Sequence, residues 1–220
     1  TLRKIGFTGA LAAARSRLWS DSSAFGLAAD LNGLPQPRAP KIPIAMMVHE
    51  PATFTGFDDE ATRATGDDSI EVDQRRRLCA AGARELYVAT TDDGEALYAQ
   101  WLMFPGQEGP LHAVTPNQFP TLTPGDTLVE GAYTFVRYRK LGAMAVGMYQ
   151  LLLAARDAGA TRCLTYVSND NVPSLRGCAN SGFTIDHVRI TSQRLGRKRA
   201  TFRPPTDAER AEWAAAVAPR

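Results

Sequence analysis

Arg137, Arg139 and Lys140 crowd the turn between an apolar run, residues 128–136, and a long helical run that begins at Gly142. A helix start presents unpaired N–H groups and a partial positive charge, so a basic turn there suits a phosphate-bearing ligand, a diphosphate above all. The same residues also fit a solvated turn that binds nothing. Within the apolar run, Glu130 is the single charged residue. A carboxylate is costly to bury alone, so it either takes a proton in a reaction or pairs with an arginine such as Arg137 or with backbone donors. Alternation with period two places it on the side of Ala132 and Thr134 if no bulge intervenes.

These groups need a frame. Residues 128–136 are rich in β-branched and aromatic side chains, and residues 142–158 carry apolar side chains at helical spacing without proline. Gly159 then marks a helix stop, and residues 163–167 read as a strand parallel to the first. Asn171 opens a short helix, and Gly182 and Phe183 end it.

Tyr138, Arg139 and Gly142, together with Asn171, Gly182 and Phe183, resemble the acyl-CoA signature of the GNAT acyltransferase superfamily. There an Arg or Gln precedes a Gly by three residues, an Asn opens the next helix and Gly-Phe closes it. The resemblance covers residues 128–183 well and extends more loosely back to about Ile42. It implies an α/β fold with a mixed, mainly antiparallel sheet flanked by helices over residues 41–220, and an N-terminal extension, residues 1–40, packed on that core. It further implies an N-acyltransferase in which an amine attacks the thioester directly, with acetyl-CoA or another acyl-CoA as co-substrate and a small-molecule or protein amine as acceptor.

Carried onto this chain, the family pattern has the backbone of Tyr133, Thr134, Phe135 and Val136 hold the pantetheine arm and thioester carbonyl. Arg139, Lys140 and the amides of Leu141, Gly142, Ala143, Met144 and Ala145 hold the diphosphate, with Asn171 opening the next helix. No metal is needed. A lysine-like amine is only about one part in 2500 neutral at pH 7, a deficit of roughly 4.6 kcal/mol, so a base matters, and Glu130 is the candidate. The chain departs from the family at Met144, where Gly or Ala is usual, and at Cys178, where many members carry the tyrosine that protonates the leaving thiolate. Cys178 is either that proton donor or the filler of a small apolar gap. Both departures leave room for an inactive acyl-CoA-binding module. Residues 75–77 and 197–199, arginine-rich, leave room for a long-chain or acyl-carrier-protein donor.

Composition sets outer bounds. With 220 residues and 44% hydrophobic composition, one sizeable core is expected. A net charge of +2 argues against nucleic acid as the partner. Cys79, Cys163 and Cys178 are too far apart for a zinc or disulfide framework and fit a reducing cytoplasm. The first 17 residues mimic a signal peptide, but their apolar run is short and ends at Arg15 and Arg17; no run has the length of a membrane span. A homodimer is compatible with all of this.

Elsewhere, residues 2–34 read as Ala-rich helical stretches broken at Ser20–Ser23, and residues 41–48 as an edge strand containing Pro43. His49 ends that strand or serves as a base. Residues 50–68 read as a loop, and Asp68 with Glu71 as a capping box opening a helix to about Ala81, with Arg75, Arg76 and Arg77 mostly outward. Residues 86–91 and 95–104 form a hairpin about Asp93-Gly94. The proline-rich residues 105–125 cross as a long loop, with Asn117, Gln118 and Phe119 as candidate acceptor contacts. Residues 185–191 are a further strand, and Thr206 with Glu209 caps a last helix.

Overall fold

The computed structural model describes residues 19–195 and 197–218. Within them the strands are β1 (Trp19–Asp30), β2 (Met46–His49), β3 (Leu86–Thr90), β4 (Ala96–Met103), β5 (Asp126–Thr134), β6 (Arg162–Ser168), β7 (Thr184–Arg194) and β8 (Arg197–Arg203). The helices are α1 (Gly56–Ala61), α2 (Asp67–Ala80), α3 (Gly109–Val114), α4 (Ala143–Asp157), α5 (Val172–Asn180) and α6 (Asp207–Val217). The strands form one sheet in the order β2-β3-β4-β5-β6-β1-β7-β8, with β5 and β6 its parallel pair and the other neighbours antiparallel. The mixed, mainly antiparallel α/β architecture expected from the sequence is the one found. No helix among the described residues is long and apolar enough to cross a membrane.

Helices cover both faces. Met148, Leu151, Leu152 and Ala155 recur at helical spacing along α4 and meet Leu27, Leu102, Val129 and Val167 of the sheet, joined by Leu175 of α5 and Trp213 of α6. Each large side chain so buried contributes roughly 1.5–3 kcal/mol. On the opposite face Phe57 of α1, Val72 and Leu78 of α2 and Leu111 of α3 pack with Trp101, Leu128, Tyr133 and Tyr166. The capping box at Thr206 and Glu209 forms as expected.

Several expectations need correction. The helical extension anticipated over residues 2–34 is, from Trp19 to Asp30, an interior strand flanked by β6 and β7, so the core does not begin at residue 41. What was expected of residues 1–18 lies outside the described residues. The edge strand is confined to Met46–His49. Gly66, not Asp68, precedes α2, and no side-chain cap forms there, because the capping position is a glycine and Asp68 already lies in the first turn, paired with Arg139. The two supposed loops contain α1 and α3.

The sheet is irregular where it matters. β5 and β6 pair only at Asp126↔Arg162, Thr127↔Cys163 and Leu128↔Leu164; beyond, β5 pairs only with β4 and β6 only with β1, and the two strands part. Between the pairs Ala99↔Tyr133 and Trp101↔Glu130, β5 carries an extra residue. Gly131 sits in this bulge with φ of 67°, and a Cβ there would lie 2.7 Å from the Trp101 ring. Trp101 is fully buried, its Nε1–H donates to the Ala83 carbonyl at 3.1 Å and its ring stacks on Phe57, so it has nowhere to retreat. Gly131→Ala should therefore cost about 2–4 kcal/mol from backbone strain and overpacking together, read as a lower urea midpoint with an unchanged slope.

Candidate active site

The gap between β5 and β6 is an internal cleft of about 290 Å³ that passes through the sheet. On one side its wall is Met144 and Met148 of α4 with Asn171, Ser174 and Cys178 around α5; on the other it is Arg75 of α2, Gln118, Phe119 and Arg189. Glu130, Tyr166 and Ser168 line the middle. A larger groove near Arg76 and Phe54 lies away from these groups.

The bulge decides which way Glu130 points. It stands opposite Trp101 and two residues from Leu128, both packed toward α2, whereas Ala132 packs toward α4. The alternation that would align Glu130 with Ala132 and Thr134 is thus broken, and the carboxylate enters the cleft from the α2 side. Pairing with Arg137 does not occur, since Arg137 bonds Glu95 at 2.8 Å. Burial pushes the Glu130 carboxyl above its usual range, against the pull of Arg189, the Gly131 amide and Arg75. Its Oε2 is buried without a hydrogen-bond partner.

Arg75, expected to face outward, is buried and donates to the carbonyls of Gly131 at 3.2 Å, Ala132 at 2.9 Å and Glu71 at 2.8 Å. It thereby satisfies backbone groups that the departing β6 leaves behind. Arg76 pairs with Asp58, so residues 75–77 do not form one exposed basic strip.

The thioester side is only partly as anticipated. Gly142 precedes α4 with φ of 85°, and neither it nor any side chain caps the helix, which leaves the first amides of α4 without a side-chain partner. Pro40 lies 3.3 Å from the position of a Gly142 Cβ, and Lys41 N–H donates to the Leu141 carbonyl at 2.8 Å, so residues 40–41 brace the turn. Met144 turns sideways onto α5, where its sulfur would be 2.7 Å from a Gly177 Cβ, and narrows the passage between the two helices. Arg139 is held by Asp68 at 2.5 Å and by the Thr134 carbonyl at 3.3 Å. Of the four backbone positions expected to hold pantetheine, two have their amides engaged: Phe135 donates to the Leu97 carbonyl at 3.2 Å and Val136 to buried Glu60 at 2.9 Å. Tyr133 and Thr134 lie opposite Ala99 and Tyr98 of β4, and the β5 residues that line the gap are Glu130, Gly131 and Ala132. Asn171 caps α5 through a bond from the Ser174 amide at 3.2 Å. Cys178 is fully buried among the α4 and β-strand side chains, and burial drives its thiol far up from its ordinary value. That is the setting of a packing residue.

Four residues were not singled out in the sequence. Tyr166 lines the cleft and its hydroxyl meets His187 Nε2 at 2.9 Å, while His187 Nδ1 meets Asp186 at 2.8 Å. A Cβ on Gly26 would fall 2.3 Å from the His187 ring, so the bare backbone of β1 makes the space that ring occupies. Arg189 lies 4.8 Å over Tyr166 and 5.0 Å over Phe119. The signal for Arg189 and His187 was their presence inside a strand pattern; that Arg189 faces the cleft and His187 meets Tyr166 depends on β6, which lies beyond β1 in the sheet and leaves no local mark on either residue. Gln118 and Phe119 do reach the cleft because the Gln118 carbonyl accepts from Arg189 at 3.0 Å and the Asn117 carbonyl from the Ala200 amide at 3.1 Å.

No family model matches the chain, and no curated protein matches it. Solved structures do. A GCN5-related glucosamine N-acetyltransferase region of a fungal multi-domain GH3 β-N-acetylglucosaminidase superposes with a TM-score of 0.58 at 12% identity, covering 84% of this chain and 22% of that one. A GNAT-family acetyltransferase from Colwellia psychrerythraea gives 0.51 at 14%, covering 83% and 60%. A GCN5-related N-acetyltransferase from Sphaerobacter thermophilus gives 0.50 at 15%, covering 92% and 59%. The chain thus spans less than two thirds of the length of each. Likeness at this level of identity speaks for architecture, and the architecture of this chain is the GNAT acetyltransferase fold.

Proposed function

We propose that this protein is an acyl-CoA-dependent N-acyltransferase, with acetyl as the default acyl group. The observation that carries the reading is the cleft itself: strands that part beside an uncapped helix start, with an incompletely partnered carboxylate at the base of the opening. The structural neighbours, a glucosamine N-acetyltransferase region, a GNAT-family acetyltransferase and a GCN5-related N-acetyltransferase, support the same reading.

The residues fit such a co-substrate. The α4 amides and the local helix field favour a diphosphate, Lys140 is exposed beside them, and β5 leads from that turn back to Ala132 and Gly131 at the cleft. Bound acyl-CoA would supply an electrophilic thioester carbonyl. The protein's part is to hold the acceptor nitrogen against it, which in favourable cases lowers a barrier by roughly 7–11 kcal/mol, and to remove a proton. As the N–C bond forms and the C–S bond breaks, Glu130 would take the amine proton and the coenzyme would leave as a thiolate, which takes up a proton from solvent while Glu130 returns its own. Burial raises the Glu130 carboxyl toward neutrality, which makes it a better matched base than a solvated glutamate. The Tyr166–His187–Asp186 chain offers a hydrogen-bonded route from the cleft to exposed Asp186.

A binding-only module drew its support from Met144 and Cys178. Met144 packs onto Gly177, and Cys178 fills the core, so each has a structural occupation that leaves turnover open.

Glu130→Gln should lower the acylation rate at least about tenfold while acetyl-CoA affinity, by calorimetry, stays within about twofold. The same variant tests the burial of the charge. A carboxyl whose pKa is higher folded than unfolded keeps its extra proton in the native state, so the stability it costs appears as pH rises from the unfolded value. Glu130→Gln should therefore gain stability over wild type at pH 8 and lose that advantage near pH 4, in paired thermal melts. Cys178→Ala should keep the transfer rate within about threefold, with Cys178→Ser no faster; a serine that outperforms alanine would return a proton-transfer role to this position.

A further inference from the structure

The α2-facing half of the cleft carries two opposite charges that do not meet. Arg75 is fully engaged with carbonyls and Glu71. Arg189 is not. One Nη1 donates to the Gln118 carbonyl at 3.0 Å, its Nε is buried without a partner, and among the described residues no carboxylate forms an ion pair with it. Across the same cleft Glu130 Oε2 is likewise buried and unpartnered. The two groups sense one another electrostatically, yet no hydrogen bond or salt bridge joins them.

Unpaired buried charge is expensive, and each group left open costs more than a solvated one. The guanidinium is also restrained in advance, lying 5.0 and 4.8 Å from the ring centres of Phe119 and Tyr166, to one side of that edge-to-face pair. Cation–π contact of this kind restrains an arginine without using its N–H donors. What would satisfy both ends at once is a ligand of reversed polarity: a nitrogen at Glu130 and an anionic group at the free edge of Arg189. Since the charge of Arg75 is already paired with Glu71, a single negative charge fits better than a phosphate dianion, and a planar carboxylate matches the fork of an arginine edge. The volume, about 290 Å³, lies at the low end for small-molecule sites and admits an acceptor of metabolite size.

We infer that the acceptor is a small zwitterionic amino acid, its amine directed to Glu130 and its carboxylate to Arg189. This rests on the N-acyltransferase reading and names the substrate class for the same cleft. Arg189 thus selects the acceptor, while Phe119 and Tyr166 position Arg189.

Thiol release from acetyl-CoA, measured on the full chain with the twenty standard L-amino acids, β-alanine and 4-aminobutyrate, each beside its carboxamide and its decarboxylated amine, tests the assignment. The best amino acid should exceed its carboxamide and amine by at least about tenfold in kcat/KM, mainly through KM. Arg189→Gln should collapse that ratio to within about threefold, and Arg189→Lys, which keeps the charge and loses the fork, should fall between. Transfer to amines and carboxamides as efficient as to amino acids overturns the carboxylate assignment and leaves acyl transfer standing. Absence of transfer to every acceptor, with no shift in melting temperature on adding acetyl-CoA, overturns both.

Discussion

The parting of β5 from β6 after Leu128 is the constraint to which the rest of the molecule answers. Two parallel strands that separate inside a sheet strip one another of hydrogen-bond partners, and buried backbone groups left unpaired cost about as much as lost hydrogen bonds. This chain answers with side chains. Arg75 donates to the Gly131 and Ala132 carbonyls, Arg139 to that of Thr134, and Glu60 accepts from the Val136 amide and the Tyr133 hydroxyl. Three charged residues from α1, α2 and the turn after β5 thus stand in where a neighbouring strand would otherwise lie.

The bulge follows from the same demand. By adding one residue opposite β4, it rotates Glu130 away from the α4 face and into the opening, and Gly131 is the residue that tolerates both the positive φ and the Trp101 ring. The two mouths of the cleft consequently differ in character. Toward α4 and α5 the wall is methionine, cysteine and small polar side chains beside a helix start; toward α2 and β7 it is Glu130, two arginines and two aromatic rings. A donor and an acceptor of unlike chemistry can thus approach one point from opposite sides of the sheet.

The long proline-containing crossing, residues 105–125, shows how a segment without a repeating pattern still acquires position. Glu108 accepts from the Leu122 amide at 3.2 Å and closes it on itself, while Asn117 and Gln118 tie it to β8 and β7. Phe119 is then held edge-on to Tyr166.

By itself the sequence determined the strand–helix–strand unit from β5 to α5, the β3–β4 hairpin and the capped last helix, because each is written in contacts between residues close along the chain: helical spacing, an Asp-Gly turn, a Thr/Glu box. It placed Glu130 as the lone charge in an apolar strand. Only the tertiary structure decided that Ala- and Ser-rich residues 19–30 are a strand, since two flanking strands override helical preference there and the His187 ring requires the bare Gly26. It alone made Arg75 a backbone donor, turned Glu130 through the bulge, and set Arg189 against rings contributed by two other segments. A side chain's charge is local information, but whether that charge is paired, buried or left open depends on segments that meet it only after folding.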